Sequence, residues 1–166
     1  MTMNTDEKFY ENDNGLYFKS GYPSQWFLAP ITIDNQEFNC CEQRMMYMKA
    51  LTFNDKETAD LIMMEKEPKE QKKLGRLVKN FDADKWDTIA DQIVYEANLA
   101  KFTQHQELNE KLLTTGNKII VECAPYDKIW GNGLDITTTL NTPEEEWKGT
   151  NRLGKALMKV RETLRK

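Results

Sequence analysis

The sequence predicts a predominantly α-helical α+β fold, a single compact multi-helical domain with a few short strands. From Cys40 onward, apolar residues recur at steps of three and four, the spacing that lines one face of a helix. β-branched and aromatic runs are confined to short pieces, Leu16–Phe18, Phe27–Ile33 and Ile119–Val121. Length agrees with one domain, because 166 residues contain no stretch of linker composition.

Residues 1–15 show no sustained period and close on Asn12-Asp13-Asn14-Gly15, so a loosely attached start is expected there and the domain proper over 16–166. Pro23 and Pro30 interrupt the next extended pieces and Asp34-Asn35 marks a turn, which predicts a small irregular sheet or hairpin. Residues 42–52 are rich in Met, Glu, Gln, Lys and Ala and read as a helix entered at Asn39 or Cys40. A second helix starts at Asn54 or Asp55, with Ala59, Ile62 and Met63 inward. Pro68 suits the first turn of a helix over 68–80 that buries Leu74, Leu77 and Val78. Gly75 within it costs about 1 kcal/mol relative to alanine, which signals close packing or a nearby ligand, packing being the better reading. The strongest period, Trp86, Ile89, Ile93, Ala97 and Ala100, predicts a core helix over 83–101. Leu108, Leu112 and Leu113 predict another over 104–114, stopped by Thr115-Gly116-Asn117. Ile119–Val121 reads as a buried strand, and Leu153, Leu157, Val160 and Leu164 mark a closing helix over 150–165.

Apolar residues make up 39% and charged residues 30%, the balance of a soluble globular protein, and no apolar run approaches the roughly 18 residues that span a bilayer. The polar, acidic start lacks the basic and apolar segments of a secretory signal, which places the chain in a cytoplasm. Cys40, Cys41 and Cys123 are odd in number and two are adjacent, so reduced thiols are expected. One histidine, His105, and no paired-cysteine spacing leave little with which to build a transition-metal site. A net charge of −4 disfavours non-specific binding to a phosphate backbone while leaving room for a local basic pocket.

Two stretches hold the residues suited to chemistry. Glu42 and Lys49 are seven apart on one predicted helix, hence nearly on one face and ~10 Å apart along the axis. Glu122, Asp127, Trp130 and Gly131 follow the last strand in a loop bounded by Pro125 and Gly133. Glycines beside an indole let another body approach closely, and a tryptophan there stacks on a base or a ribose. The competing readings are structural. The helix dipole alone favours a first-turn carboxylate such as Glu42. Lys49 suits a solvated surface, Glu122 a buried ion pair with Arg76 or Lys101, and Trp130 a plug for the helical core.

The run Phe27-x-x-Pro30-Ile-x-Ile-Asp34-x-x-x-Phe38-x-x-x-Glu42-Gln, with Lys49-Ala50, resembles the opening of the NADAR, or YbiA-like, family. The resemblance continues through Lys73-Leu-Gly75-Arg76, Trp86, Lys101-Phe102, Leu112-Leu113-x-Thr115-Gly116, Glu122, Asp127-x-x-Trp130-Gly131-x-Gly133 and Asn151-x-Leu153-Gly154-x-x-Leu157-Met158-x-x-Arg161. It implies a YbiA-like fold and an N-glycosidase without metal or redox cofactor. The implied substrate is a phosphorylated ribosylamino-pyrimidine of riboflavin synthesis or ADP-ribosylated guanine, with nucleic acid a partner only when it carries the modified base. Two departures bear on substrate identity. Ser24-Gln25-Trp26-Phe27-Leu28-Ala29-Pro30 stands where the family often reads Leu-Ser-Asn-Phe-Tyr-Pro, and Glu122-Cys-Ala-Pro replaces Glu-Ala-Ser-Pro.

Cleaving such a bond develops positive charge at C1′ and negative charge on the departing base. Glu42 or Asp127 is therefore expected to stabilise the cationic sugar and activate water, with Trp130 stacking on base or ribose and Phe27 or Tyr47 as a second wall. Glu122 and Gly131 shape the substrate side of the indole loop. Arg76, Lys73 and Lys101 suit phosphate oxygens. In an alternative route Lys49 or Lys101, desolvated enough to be neutral, attacks C1′ and forms a Schiff base. A non-catalytic ADP-ribose or nucleotide-binding module would use the same residues without turnover, whereas a helical interaction protein would tolerate substitution of Glu42, Asp127 and Trp130 with no loss beyond stability.

Overall fold

A computed structural model describes residues 9–166. The part of the expected loose start that falls on residues 1–8 lies outside the described residues. Residues 9–15 are ordered into structure: Phe9–Glu11 forms β1, and Asn12 accepts hydrogen bonds through its side-chain oxygen from the N–H groups of Asn14 (2.8 Å) and Gly15 (2.9 Å). The Asn-rich segment read as fraying is a hydrogen-bonded turn between paired strands. Helices dominate and the strands are short, the fold class that the periodicity predicts. The chain falls into two compact units, one of residues up to Ser24 and from Gln106 to the end, the other Gln25–His105.

The first unit is built on a three-stranded sheet in the order β1, β2 (Gly15–Phe18), β5 (Ile119–Glu122). β1 and β2 pair antiparallel, whereas β2 and β5 run parallel with Leu16 opposite Ile120 and Tyr17 opposite Val121. Parallel partners need a long crossover, and here residues 19–118 intervene, including the whole second unit. The unit also holds α5 (Gln106–Thr114), the short α6 (Ile136–Leu140) and α7 (Arg152–Leu164). α7 buries Leu153, Leu157 and Val160 as its spacing predicts, and also Arg161, which donates to the Thr115 hydroxyl (2.9 Å) and the Lys118 carbonyl (2.8 Å). Sequence periodicity passed over α6, whose five residues, three of them threonine, carry no helical stripe; the Asp135 carboxylate caps it by accepting from the Thr138 N–H (2.7 Å).

The second unit opens with the hairpin β3 (Ile31–Ile33) and β4 (Gln36–Phe38), turned at Asp34 (φ 54°) and Asn35 (φ 65°), the two-residue left-handed turn that asparagine and aspartate tolerate. Four helices follow, α1 (Cys41–Thr52), α2 (Lys56–Met64), α3 (Pro68–Gly75) and α4 (Ala83–Gln104). Ile31, Phe38, Cys41 and Ala97 form one buried cluster that ties hairpin, α1 and α4 together. α3 stops at Gly75 instead of reaching residue 80, so Leu77 leaves the helix and is exposed while Val78 turns inward. A Cβ at Gly75 would fall 2.1 Å from the Met46 Sδ, so the glycine lets α3 approach α1, the packing reading.

Candidate active site

Glu42 sits in the first turn of α1. Cys40 is extended and offers no side-chain cap, so the helix entry is held from elsewhere: the Glu42 N–H donates to the Gln25 carbonyl (3.0 Å), and the Gln43 side chain reaches back to accept from the Asn39 N–H (2.7 Å). Glu42 itself is only 6% exposed. A helix dipole contributes about 0.3–1 kcal/mol to a first-turn carboxylate, whereas taking a carboxylate out of water costs several kcal/mol. The dipole alone therefore does not account for this side chain.

Two lysines of this unit are themselves withdrawn from water. Lys49, half-buried on the same helix, has its pKa lowered, chiefly by burial and further by Arg76, while Glu42 pulls it back up. Its ammonium stands 4.4 Å from the centre of the Phe81 ring. Lys101 on α4 is fully buried, with the Phe27 ring 5.4 Å and the Phe102 ring 5.1 Å from its Nζ. Burial brings its pKa down to about 8, against an opposing pull from Cys41 and Cys40. The Cys41 thiol, pushed up to about 11 by burial, is lowered by Lys101 and raised by Glu42, so both charges act on one buried sulfur. Cys40 is pushed higher, to about 12. Both thiols are uncharged at neutral pH.

A chain of amides underlies this cluster. Asn98, fully buried on α4, donates to the Gln25 Oε1 (2.7 Å) and to the Val94 carbonyl (2.9 Å), and accepts from the Cys41 thiol (3.7 Å). Asn98 belongs to no motif, and Gln25 enters the sequence reading only as part of the Ser24–Pro30 stretch that departs from the family pattern. The available signal was an amide and a lysine on the α4 stripe that also carries Val94, Ala97 and Phe102, where an apolar residue is the default. That stripe is rotated from the expected one: Ala90 and Val94 are buried, Ile89 and Ala100 only partly.

The remaining predicted residues of this unit divide. Phe27 is half-buried beside Lys101; Tyr47 packs its ring against Phe38 with centroids 5.5 Å apart, in the hydrophobic cluster. Arg76 and Lys73 are exposed, so their cations face water where phosphate oxygens can reach. Lys101, assigned with them to phosphate, is instead sealed among thiols and aromatic rings.

Glu122, Asp127, Trp130 and Gly131 belong to the other unit. The Asp127 Oδ1 accepts from the N–H groups of Ile129 (3.0 Å) and Trp130 (2.9 Å), so this carboxylate organises its own turn. A Cβ at Gly131 would lie 2.8 Å from the Ala124 Cβ and 2.9 Å from the Asp127 carbonyl oxygen, which leaves room for glycine alone. The Trp130 ring is half-buried and receives the Arg152 guanidinium 4.5 Å from its centre. Asn151, unremarked beyond its place in the family motif, adopts a left-handed backbone (φ 52°). Its side chain accepts from the Glu122 N–H (3.0 Å) and donates to the Ile120 carbonyl (3.0 Å), and its own N–H donates to the Gly131 carbonyl (2.9 Å). One asparagine thus joins the strand end, the indole loop and the start of α7.

Among the described residues no group of three or more His, Cys, Asp or Glu could hold a metal ion, and no helix is long and apolar enough to cross a membrane. The chain is 45% identical over 144 residues to N-glycosidase R617 of Acanthamoeba polyphaga mimivirus, covering 84% of this chain and 85% of that protein. It is 35% identical to protein irg-1 of Caenorhabditis elegans (94% and 78% covered) and 31% identical to N-glycosidase YbiA of Escherichia coli strain K12 (81% and 76%). The NMR structure of the E. coli protein YbiA superposes with a TM-score of 0.76 at 28% identity, over 96% of this chain and 90% of that one. With the NADAR domain matched over residues 8–165, the chain belongs to the NADAR domain family.

Proposed function

We propose that this protein is a hydrolase of N-glycosyl bonds that cuts the bond between ribose C1′ and a nitrogen. The observation that carries the reading is the burial of Glu42 and Lys101 around one thiol beside the Phe27 ring, an arrangement costly for stability and suited to a charge-separating reaction. Relatives named N-glycosidase over most of this chain support it. Glu42 stabilises the cationic sugar and takes a proton from the attacking water. Lys101, protonated below about pH 8 and acting with Glu42 on the Cys41 thiol, would favour the charged form of that carboxylate. Arg76 and Lys73 hold phosphate. Within the other unit, the half-buried Trp130 ring, in a loop shaped by Asp127, Glu122 and Gly131, has the flat apolar surface that stacks on a base or ribose.

The net charge of −4 favours a small substrate, a phosphorylated ribosylamino-pyrimidine, over an ADP-ribosylated guanine held in a polyanion. The three reduced thiols fit a cytoplasmic location. Incubation with each substrate, followed by chromatography of the free base, tests both points: release from the pyrimidine is expected. Glu42→Gln should cut that release by about 100-fold or more with an unchanged circular dichroism spectrum. Wild-type binding without release would make the protein a binding module, and full activity in the variant would remove Glu42 from the mechanism. The lowered pKa of Lys49 supports a second route, in which its amine attacks C1′, the C1′–base nitrogen bond breaks with the base leaving protonated, and the ribose ring opens to a Schiff base on the lysine that water then hydrolyses. A protein mass increase after borohydride treatment with substrate, absent in Lys49→Met, would establish it.

A further inference from the structure

We propose that Asn98 is a positioning residue for Glu42 and Lys101: through the Gln25 side chain it locks the turn of α4 that carries the lysine to the turn of α1 that carries the carboxylate. This rests on the N-glycosidase reading of that site.

Gln25 is the common point. Its backbone carbonyl accepts from the Glu42 N–H at 3.0 Å and its side-chain carbonyl accepts from Asn98 at 2.7 Å. The same Asn98 stands three residues before Lys101, so amide and ammonium project from neighbouring positions on one face of α4. The other end of the Asn98 amide meets the Cys41 thiol, one residue from Glu42. Gln25 and Asn98 are 73 residues apart in sequence, so no local turn imposes their contact.

The chemistry of the link argues for orientation over adhesion. A buried amide must satisfy both its donors and its acceptor, and it does so in one rotamer only: Nδ2 is divided between Gln25 and Val94, and Oδ1 faces Cys41. The Gln25 Nε2 meets the Met45 Sδ at 3.7 Å, a weak acceptor, so the contact with Asn98 is the bond that fixes the Gln25 side chain. Leucine at position 98 would serve helix packing alone, since Val94, Ala97 and Phe102 around it are buried and apolar. What an amide supplies and leucine does not is a direction. Displacements well below the size of an atom at reacting groups change rates strongly, and two helices that slide on an apolar contact permit them.

The test uses the full-length protein with a ribosylamino-pyrimidine phosphate as probe, and compares Asn98→Ala, the near-isosteric Asn98→Asp, and Gln25→Leu, which removes the acceptor while keeping the backbone carbonyl that holds Glu42. Each is expected to lower kcat 10- to 100-fold with KM within two-fold of wild type. Ile93→Val, which loosens core packing of the same helix, should lower the melting temperature while leaving kcat within two-fold. A readout that needs no turnover accompanies these: in lysine-labelled protein the Nζ resonance of Lys101 should move in the Asn98 and Gln25 variants and stay in Ile93→Val. A folded Asn98 or Gln25 variant with wild-type kcat overturns the proposal. So does a Lys101 resonance that none of these variants moves. Absence of base release by the wild type would instead defeat the N-glycosidase reading, and the resonance would still decide whether the amide chain sets the lysine's surroundings.

Discussion

Lys101 loses all contact with solvent on folding, and burial lowers its pKa from the ordinary 10.5 to about 8. The consequences for stability and for catalysis have opposite signs. Below about pH 8 both folded and unfolded chains hold the proton, so the full cost of the buried ammonium is present. Between about 8 and 10.5 the unfolded chain still binds a proton that the folded chain has released, so the contribution of this group to stability rises with pH. The neighbouring thiols lie above most of that window, Cys41 at about 11 and Cys40 at about 12. Catalysis that relies on the ammonium to keep Glu42 charged fails over the same range. The expected pattern is kcat/KM falling through about pH 8 while the urea midpoint gains a rising component that Lys101→Met abolishes. A rate that climbs through that pH would favour a neutral amine as the reacting group. Asp127 shows how differently two carboxylates from one motif set can be used: its oxygen serves two backbone N–H groups, whereas Glu42 is buried in the first turn of α1 and acts on the Lys49 ammonium.

Two glycines show how elements are brought close enough to carry such groups. A Cβ at Gly154 in α7 would sit 2.1 Å from the Ile120 carbonyl oxygen on β5 and 2.4 Å from the Asn151 side chain, which itself holds that strand. Backbone cannot yield there without breaking the ladder to β2. At Gly75 the obstacle is the flexible end of Met46, which can rotate away, and alanine recovers about 1 kcal/mol of helix propensity. Gly154→Ala should therefore lose ~1–3 kcal/mol or more, and Gly75→Ala distinctly less, both measured by urea unfolding. The helices themselves were legible because their signals are local: Pro68 at the first turn of α3, the Asp55 carboxylate accepting from the Thr58 N–H (3.1 Å) at the start of α2, Gly116 with φ 62° after α5. α3 ended early because the Leu77 N–H bonds to the Leu74 carbonyl, three residues back (2.9 Å), a tightening of the last turn that hydrophobic spacing does not report.

At the scale of the whole molecule, all three cysteines are free and buried, with thiols raised by burial, to about 12 for Cys123. Native protein at pH 7.5 is expected to react with a disulfide reagent for thiols at well under one equivalent, and with three equivalents after denaturation; rapid native reaction would contradict the burial of the Cys40–Cys41 turn. Composition and helix periodicity determined that the chain is mostly helical and that its strands are short, because those signals lie within a few residues of one another; the family motif marked Glu42, Lys49, Lys101 and the Asp127–Trp130 loop as candidates. Tertiary structure alone decided that β2 pairs in parallel with β5, that Lys101 is interior, and that Gln25 and Asn98 join the turns bearing Glu42 and Lys101. Dielectric surroundings and hydrogen bonds between distant segments are properties of the folded chain, and no local pattern of residue types encodes them.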